Sequence, residues 1–143
     1  MLNTTGNNMK RGLQNMKDLK WLSVEDYANS PQELTVISCM KGYLRRMEPE
    51  DALRRLSEII KPKVVSLNEG GVPMPVQSVV EGAKLAAFID DAVSDSIKDQ
   101  EQQNGVSRRE IDALHEIKGQ AFIQSMSVDV IQFVADAYRC LKY

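Results

Sequence analysis

The stretch VQSVVEGAKLAAFIDDAVSDSI, residues 76–97, decides how the rest of the chain is read. At helical spacing Val76, Val79, Val80, Ala83 and Ala87 fall together, and Leu85, Ile89, Ala92, Val93 and Ile97 fall on roughly the opposite side. A helix that is apolar on nearly all sides belongs inside other structure. Gly82, Ala83, Ala86 and Ala87 are small enough for a second backbone to come close. The pattern predicts a central buried helix over 76–97, with other helices or a second copy of the chain packed around it.

Upstream, PKVVSLNEGGVPMP (62–75) concentrates proline and glycine and reads as a connection. Val64 and Val65 could pair briefly there, but no second strand is evident. Before it, Pro49 opens a helix to about Ile60 with an apolar stripe of Ala52, Leu53, Leu56, Ile59 and Ile60. Its charges sit four apart, so Glu50–Arg54, Asp51–Arg55 and Arg54–Glu58 can pair within the helix. Another helix is announced by Ser30 as N-cap, Pro31 at the first helical position and Glu33 closing a capping box. It runs to about Met47 with Val36, Ile37, Met40, Tyr43, Leu44 and Met47 on one face. Ser23 starts a shorter turn that Asn29-Ser30-Pro31 interrupts. Trp21 and Leu22 are the first residues expected to be anchored, and residues 1–20 read as a flexible tail.

Downstream, Asn104-Gly105 is a left-handed stop, and Ser107 with Glu110 forms a second capping box. The last helical region has two apolar sets. Ile111, Leu114, Ile117, Ala121 and Phe122 come first; Met126, Val130, Phe133, Val134, Ala137 and Leu141 are rotated from them by a third of a turn or more. Either the helix breaks near Ser125–Asp129, with Ser127 available to cap a new start, or one long helix shows two faces to two neighbours; the break is the favoured reading. The predicted fold is therefore all-α. It is an antiparallel helical bundle of five or six helices, with a small N-terminal helical unit over 21–61 and a long C-terminal helical hairpin over 76–143 around the central buried helix. The whole is expected to form one domain.

Composition is that of an ordinary globular chain: 143 residues, 43% hydrophobic and 27% charged. The net charge of −2 calls for no highly charged partner. Residues 1–63 carry eleven Lys/Arg against eight Asp/Glu, and residues 64–143 seven against twelve, a mild asymmetry that permits a basic patch in the first half. Cys39 and Cys140 stand far apart in no ligand spacing and read as reduced thiols. With no signal-like or membrane-length apolar run, the expected location is cytoplasmic and off the membrane.

Chemistry has few candidates. His115 is the single histidine. Asp112-x-x-His115 has the spacing of half a di-iron site, but a full site needs a second such pair. Asp91, Asp95 and Asp99 recur every four residues beside Asp90, a stripe able to hold Mg²⁺ for phosphate chemistry. The paired glutamates of helical nucleotide pyrophosphatases and the second Asp-rich motif of prenyl-transfer enzymes are both missing. No serine lies in a nucleophile elbow, and Gly70-Gly71 lacks the Lys-Ser/Thr of a phosphate loop. No cofactor or metal is expected.

Lys41, Arg45 and Arg46 share the polar side of helix 31–47 with few local acids to neutralise them. The succession 24–29, turn, 31–47 has the order of a helix-turn-helix, with Ala28 at a small-residue position, but the turn lacks glycine and Pro31 is foreign to that motif. The leading expectation is a non-enzymatic helical protein that acts through contact with another protein, as a regulator, adaptor or inhibitor, and self-associates as a homodimer. Against it stand a DNA-binding transcriptional regulator using Lys41, Arg45 and Arg46, and a Mg²⁺-dependent phosphohydrolase on the aspartate stripe.

Overall fold

The computed structural model describes Leu19 and residues 22–64, 76–103 and 105–142. The expectations for Trp21 and for nearly all of the tail lie outside these residues. Leu19, however, is buried in the core, so the anchored chain starts before the boundary expected at residue 20.

The class is all-α. After a 3₁₀ turn at Val24–Asp26 come α1 (Pro31–Arg46), α2 (Pro49–Ile59), α3 (Gly82–Glu101), α4 (Arg108–Gly119), the single turn α5 (Ala121–Gln124) and α6 (Val128–Lys142). Between α2 and α3 lies one antiparallel ladder, β1 (Ile60–Val64) with β2 (Val76–Val80). This corrects the opening expectation. Residues 76–80 are not the first turns of the central helix but a strand, and α3 begins only at Gly82. Val76, Val79 and Val80 suit a pleat as well as they suit helical spacing, and the ladder with residues 60–64 outcompetes the helix. The strand pairing foreseen only as a brief contact near Val64 is made by β1, with Ile60 opposite Val80 and Val64 opposite Val76.

The helix starts follow their local signals. Glu33 N–H donates to Ser30 Oγ at 3.1 Å, while the Glu33 carboxylate accepts from Asn29 N–H at 2.9 Å. The box thus closes one residue further back than the usual motif. Ser107 Oγ caps Arg109 N–H at 3.1 Å. Gly105 has φ +86°, the left-handed stop that only glycine adopts without strain. Ser23 caps nothing, because its hydroxyl donates to Glu25 instead.

One hydrophobic cluster draws on every helix. α3 packs against α1, α4 and α5, whereas α6 packs against α2 and α1. On α3 the buried set is Leu85, Phe88, Ile89, Ala92, Val93 and Ile97. The second apolar side fails: Ala83 and Ala87 are exposed, and no heavy atom outside the helix approaches the Cβ position of Gly82. Phe88 lies 5.5 Å from Tyr43 of α1, centroid to centroid, under the Arg55 guanidinium of α2. Phe133 of α6 makes an edge-to-face contact at 5.3 Å with Tyr27, whose hydroxyl donates to Asp136 at 2.9 Å. Burial and the Asp136 carboxylate together push the Tyr27 phenol well above its ordinary pKa.

Candidate contact surface

The candidate cations of α1 are engaged within the chain, Lys41 half-buried and Arg45 and Arg46 exposed. Lys41 Nζ donates to the Leu22 carbonyl. Arg46 pairs with Asp95 of α3 through Nε at 2.6 Å and through Nη2. Arg45 is exposed and is also engaged. Arg55 does not pair with Asp51, as spacing suggested, but crosses to Asp91 of α3; Asp51 pairs with Arg54 at 3.2 Å. The basic patch and the aspartate stripe, two unrelated candidates in the sequence, are thus joined by the Arg46–Asp95 pair, and Arg55 of α2 meets the stripe at Asp91. Asp99, the stripe's last member, accepts from Gln103 at 3.1 Å. Asp90 keeps one buried oxygen without a hydrogen-bond partner among the described residues.

Among the described residues no three metal-ligating side chains converge. His115 is exposed on α4, and Asp112 beside it pairs with Arg108 at 3.2 Å. Cys39 and Cys140 are buried thiols, and desolvation pushes the Cys39 pKa up, away from the reactive thiolate. An open cleft of about 330 Å³ lies against Ala28, Pro31 and Leu34. Another of about 240 Å³ lies against Arg55, Ile59 and Lys84. Neither reaches the histidine or a cysteine.

The outstanding surface is the corner between α4 and α6. Phe122, Ile123, Met126 and Val128 are 61%, 69%, 66% and 79% exposed. Phe122 and Met126 were expected inside, and both expectations fail where the helical path is interrupted. α4 ends at Gly119 and the chain restarts at Ala121, just ahead of Phe122; it stops again at Gln124 and restarts at Val128, on either side of Met126. Phe122 and Ile123 lie four and three residues before Met126, so in the turn they share a side. Together the four expose on the order of 400 Å², the size of the largest apolar patch on an ordinary monomer, which is often functional.

The corner is held, not frayed. Ser125 is buried and donates through Oγ to Phe122 O at 2.7 Å. Met126 and Ser127 N–H groups close turns onto Ile123 O and Gln124 O at 3.2 and 3.0 Å. Ser127 does mark the new helix start, since its carbonyl accepts from Ile131 at 3.0 Å, but its hydroxyl donates to Glu33 of α1 at 2.6 Å. Two residues beyond, Asp129 accepts from the Asn29 amide at 2.6 Å. The Ser127 and Asn29 donors hold the Glu33 carboxyl below its ordinary pKa. This polar clamp fixes the inner side of the corner to the start of α1 and leaves its apolar side outward.

No described helix is long and apolar enough to cross a membrane. Comparison of the chain with protein-family models, with curated proteins and with solved structures finds no match.

Proposed function

We propose that this chain is a non-enzymatic regulator, adaptor or inhibitor that acts by contact with another protein, and that the corner formed by Phe122, Ile123, Met126 and Val128 is its contact face. The scaffold in this reading is an antiparallel helical bundle centred on α3, and the protein self-associates. The observation that carries the reading is the exposure of four large apolar side chains on a turn clamped by buried and charge-assisted hydrogen bonds. A surface ordered before binding loses less entropy on association. Sulfur and aromatic side chains suit the desolvated centre of an interface.

A DNA-binding role for Lys41, Arg45 and Arg46 gains no support from this geometry, because Arg46 would first have to leave Asp95 and Lys41 the Leu22 carbonyl. Phosphate chemistry on the aspartate stripe likewise requires displacing Arg46 and Arg55.

The test is a photo-reactive residue introduced at Ile123, or as control at exposed Lys118 on α4, in cells that make the protein. The expected outcome is a discrete adduct from position 123 that is absent from position 118. Equal labelling from both positions would refute the contact-face reading.

A further inference from the structure

The two-stranded ladder has two edges that are protected very differently. Glu81 N–H donates to Ile59 O at 3.1 Å, which sets the alternation along the register. Lys61–Val79 and Lys63–Gln77 become the hydrogen-bonded pairs. Ile60–Val80, Pro62–Ser78 and Val64–Val76 become the pairs whose backbone groups point away from the partner strand. On β1 those outward positions are largely closed. Ile60 N–H already donates to Leu56 O, Pro62 has no N–H, and lysines stand on either side of it. Proline and lysine are the usual means by which an edge strand refuses a neighbour. On β2 the outward positions are Val76, Ser78 and Val80, each with an N–H and a C=O. The segment VQSVV contains no charge and no proline. Among the described residues β2 has no hydrogen-bonded neighbour but β1.

We propose that the outer edge of β2 pairs with β2 of a second copy of the chain, giving a four-stranded sheet in the order β1-β2-β2′-β1′. The occupant follows from the edge itself. Antiparallel pairing about a two-fold axis through Ser78 puts Ser78 opposite Ser78′ and Val76 opposite Val80′, so every outward N–H and C=O meets its complement and no like charges meet. A two-stranded ladder is marginal by itself and gains stability with more strands. Both ends of the enlarged sheet are Pro62-bearing β1 strands, so the assembly closes at two. The inference rests on the self-association in the proposed function and locates it away from the 122–128 corner.

The experiment is sedimentation equilibrium on the full chain and three variants, with helix content followed by circular dichroism. Ser78→Pro removes an outward N–H, copying Pro62 across the ladder, and Ser78→Lys opposes two lysines at the two-fold axis. Ile123→Lys charges the corner instead. The expected result is that the parent and Ile123→Lys sediment at twice the 16.1 kDa chain mass, while both Ser78 variants fall to one chain mass with helix content unchanged. A dimer that survives both Ser78 substitutions but is lost in Ile123→Lys overturns the inference and leaves self-association standing, through the corner. A monomeric parent overturns both.

A covalent trap keeps the answer independent of variant folding. Residues in a hydrogen-bonded antiparallel pair have Cα atoms ~5.5 Å apart, within the range a disulfide spans. Ser78→Cys is expected to form oxidised dimers. Gln77→Cys, which faces Val79′ rather than itself, is expected to form few. The native thiols are buried and give little background. Equal cross-linking from positions 77 and 78 contradicts the register.

Discussion

Arg55 joins α2 to α3, and its removal should cost far more than removal of its neighbour Arg54. Its side chain is 31% exposed and pairs with Asp91, which is 51% exposed; a pair this accessible is worth only about 0.2–1 kcal/mol. The guanidinium carbon also stands 5.6 Å from the centroid of the fully buried Phe88 ring, a cation–π contact worth about 0.5–1 kcal/mol near the surface. The covered part of its methylene stem adds about 1 kcal/mol, partly offset by the rotamer freedom regained on truncation. Arg55→Ala should therefore lower the unfolding free energy by about 2 kcal/mol, and Asp91→Ala by less than ~1 kcal/mol. Arg54→Ala, removing a side chain 72% exposed, should stay within about 0.5 kcal/mol of the parent. Urea unfolding with an unchanged slope reads these differences. The double variant supplies the coupling, expected to be ~0.5 kcal/mol because most of the Arg55 term comes from the Phe88 contact and the covered stem together and not from Asp91. Arg55→Lys keeps the charge but not the planar stack, so it should recover less than half of the loss. The reasoning is refuted if Arg55→Ala costs no more than Arg54→Ala, or if the coupling accounts for its entire cost.

Two further perturbations test other junctions. The Glu33 carboxyl is held below its ordinary value of 4.5 by Ser127 and Asn29. Its stabilisation is thus complete above that value and lost as pH falls below it through the folded-state pKa. Thermal unfolding should accordingly show a steeper acid decline between pH 5 and 3 for the parent than for Glu33→Gln; parallel curves would remove Glu33 from the clamp. Tyr27→Phe keeps the edge-to-face contact with Phe133 and loses only the bond to Asp136, which still accepts from Gln132 and Arg139. A loss of about 1 kcal/mol in urea unfolding is expected, and one above ~3 kcal/mol would mean that Asp136 has been left unsatisfied.

What was legible in the chain was local. Ser30, Pro31 and Glu33 announced α1, Gly105 announced the stop after α3, and the rotation between the two apolar sets announced the break before Val128. Each signal acts within a few residues. The strand at 76–80 was hidden because its partner lies across a long connection, and because Val76, Val79 and Val80 satisfy helical spacing as well as a pleat. Arg55 had a plausible partner four residues back in Asp51, and only packing of α2 on α3 could reveal Asp91 as the one it meets. The basic patch and the aspartate stripe were each visible, but the Arg46–Asp95 pair that joins them is a tertiary fact. The exposed corner was missed for a related reason. The break was foreseen, yet Phe122 and Met126 were still projected on the two helices as though neither had turned away.

The measurement that bears most directly on the contact face couples stability to contact in one variant. Ile123 is 69% exposed, so Ile123→Ser forfeits only about a third of the ~1.5–3 kcal/mol that full burial of such a side chain is worth. With a photo-reactive residue at Met126, the account expects Ile123→Ser to abolish the adduct while unfolding stays within ~1 kcal/mol of the parent. An adduct of undiminished yield, or a stability loss of ~3 kcal/mol or more of the kind that follows truncation of a core side chain, would contradict it.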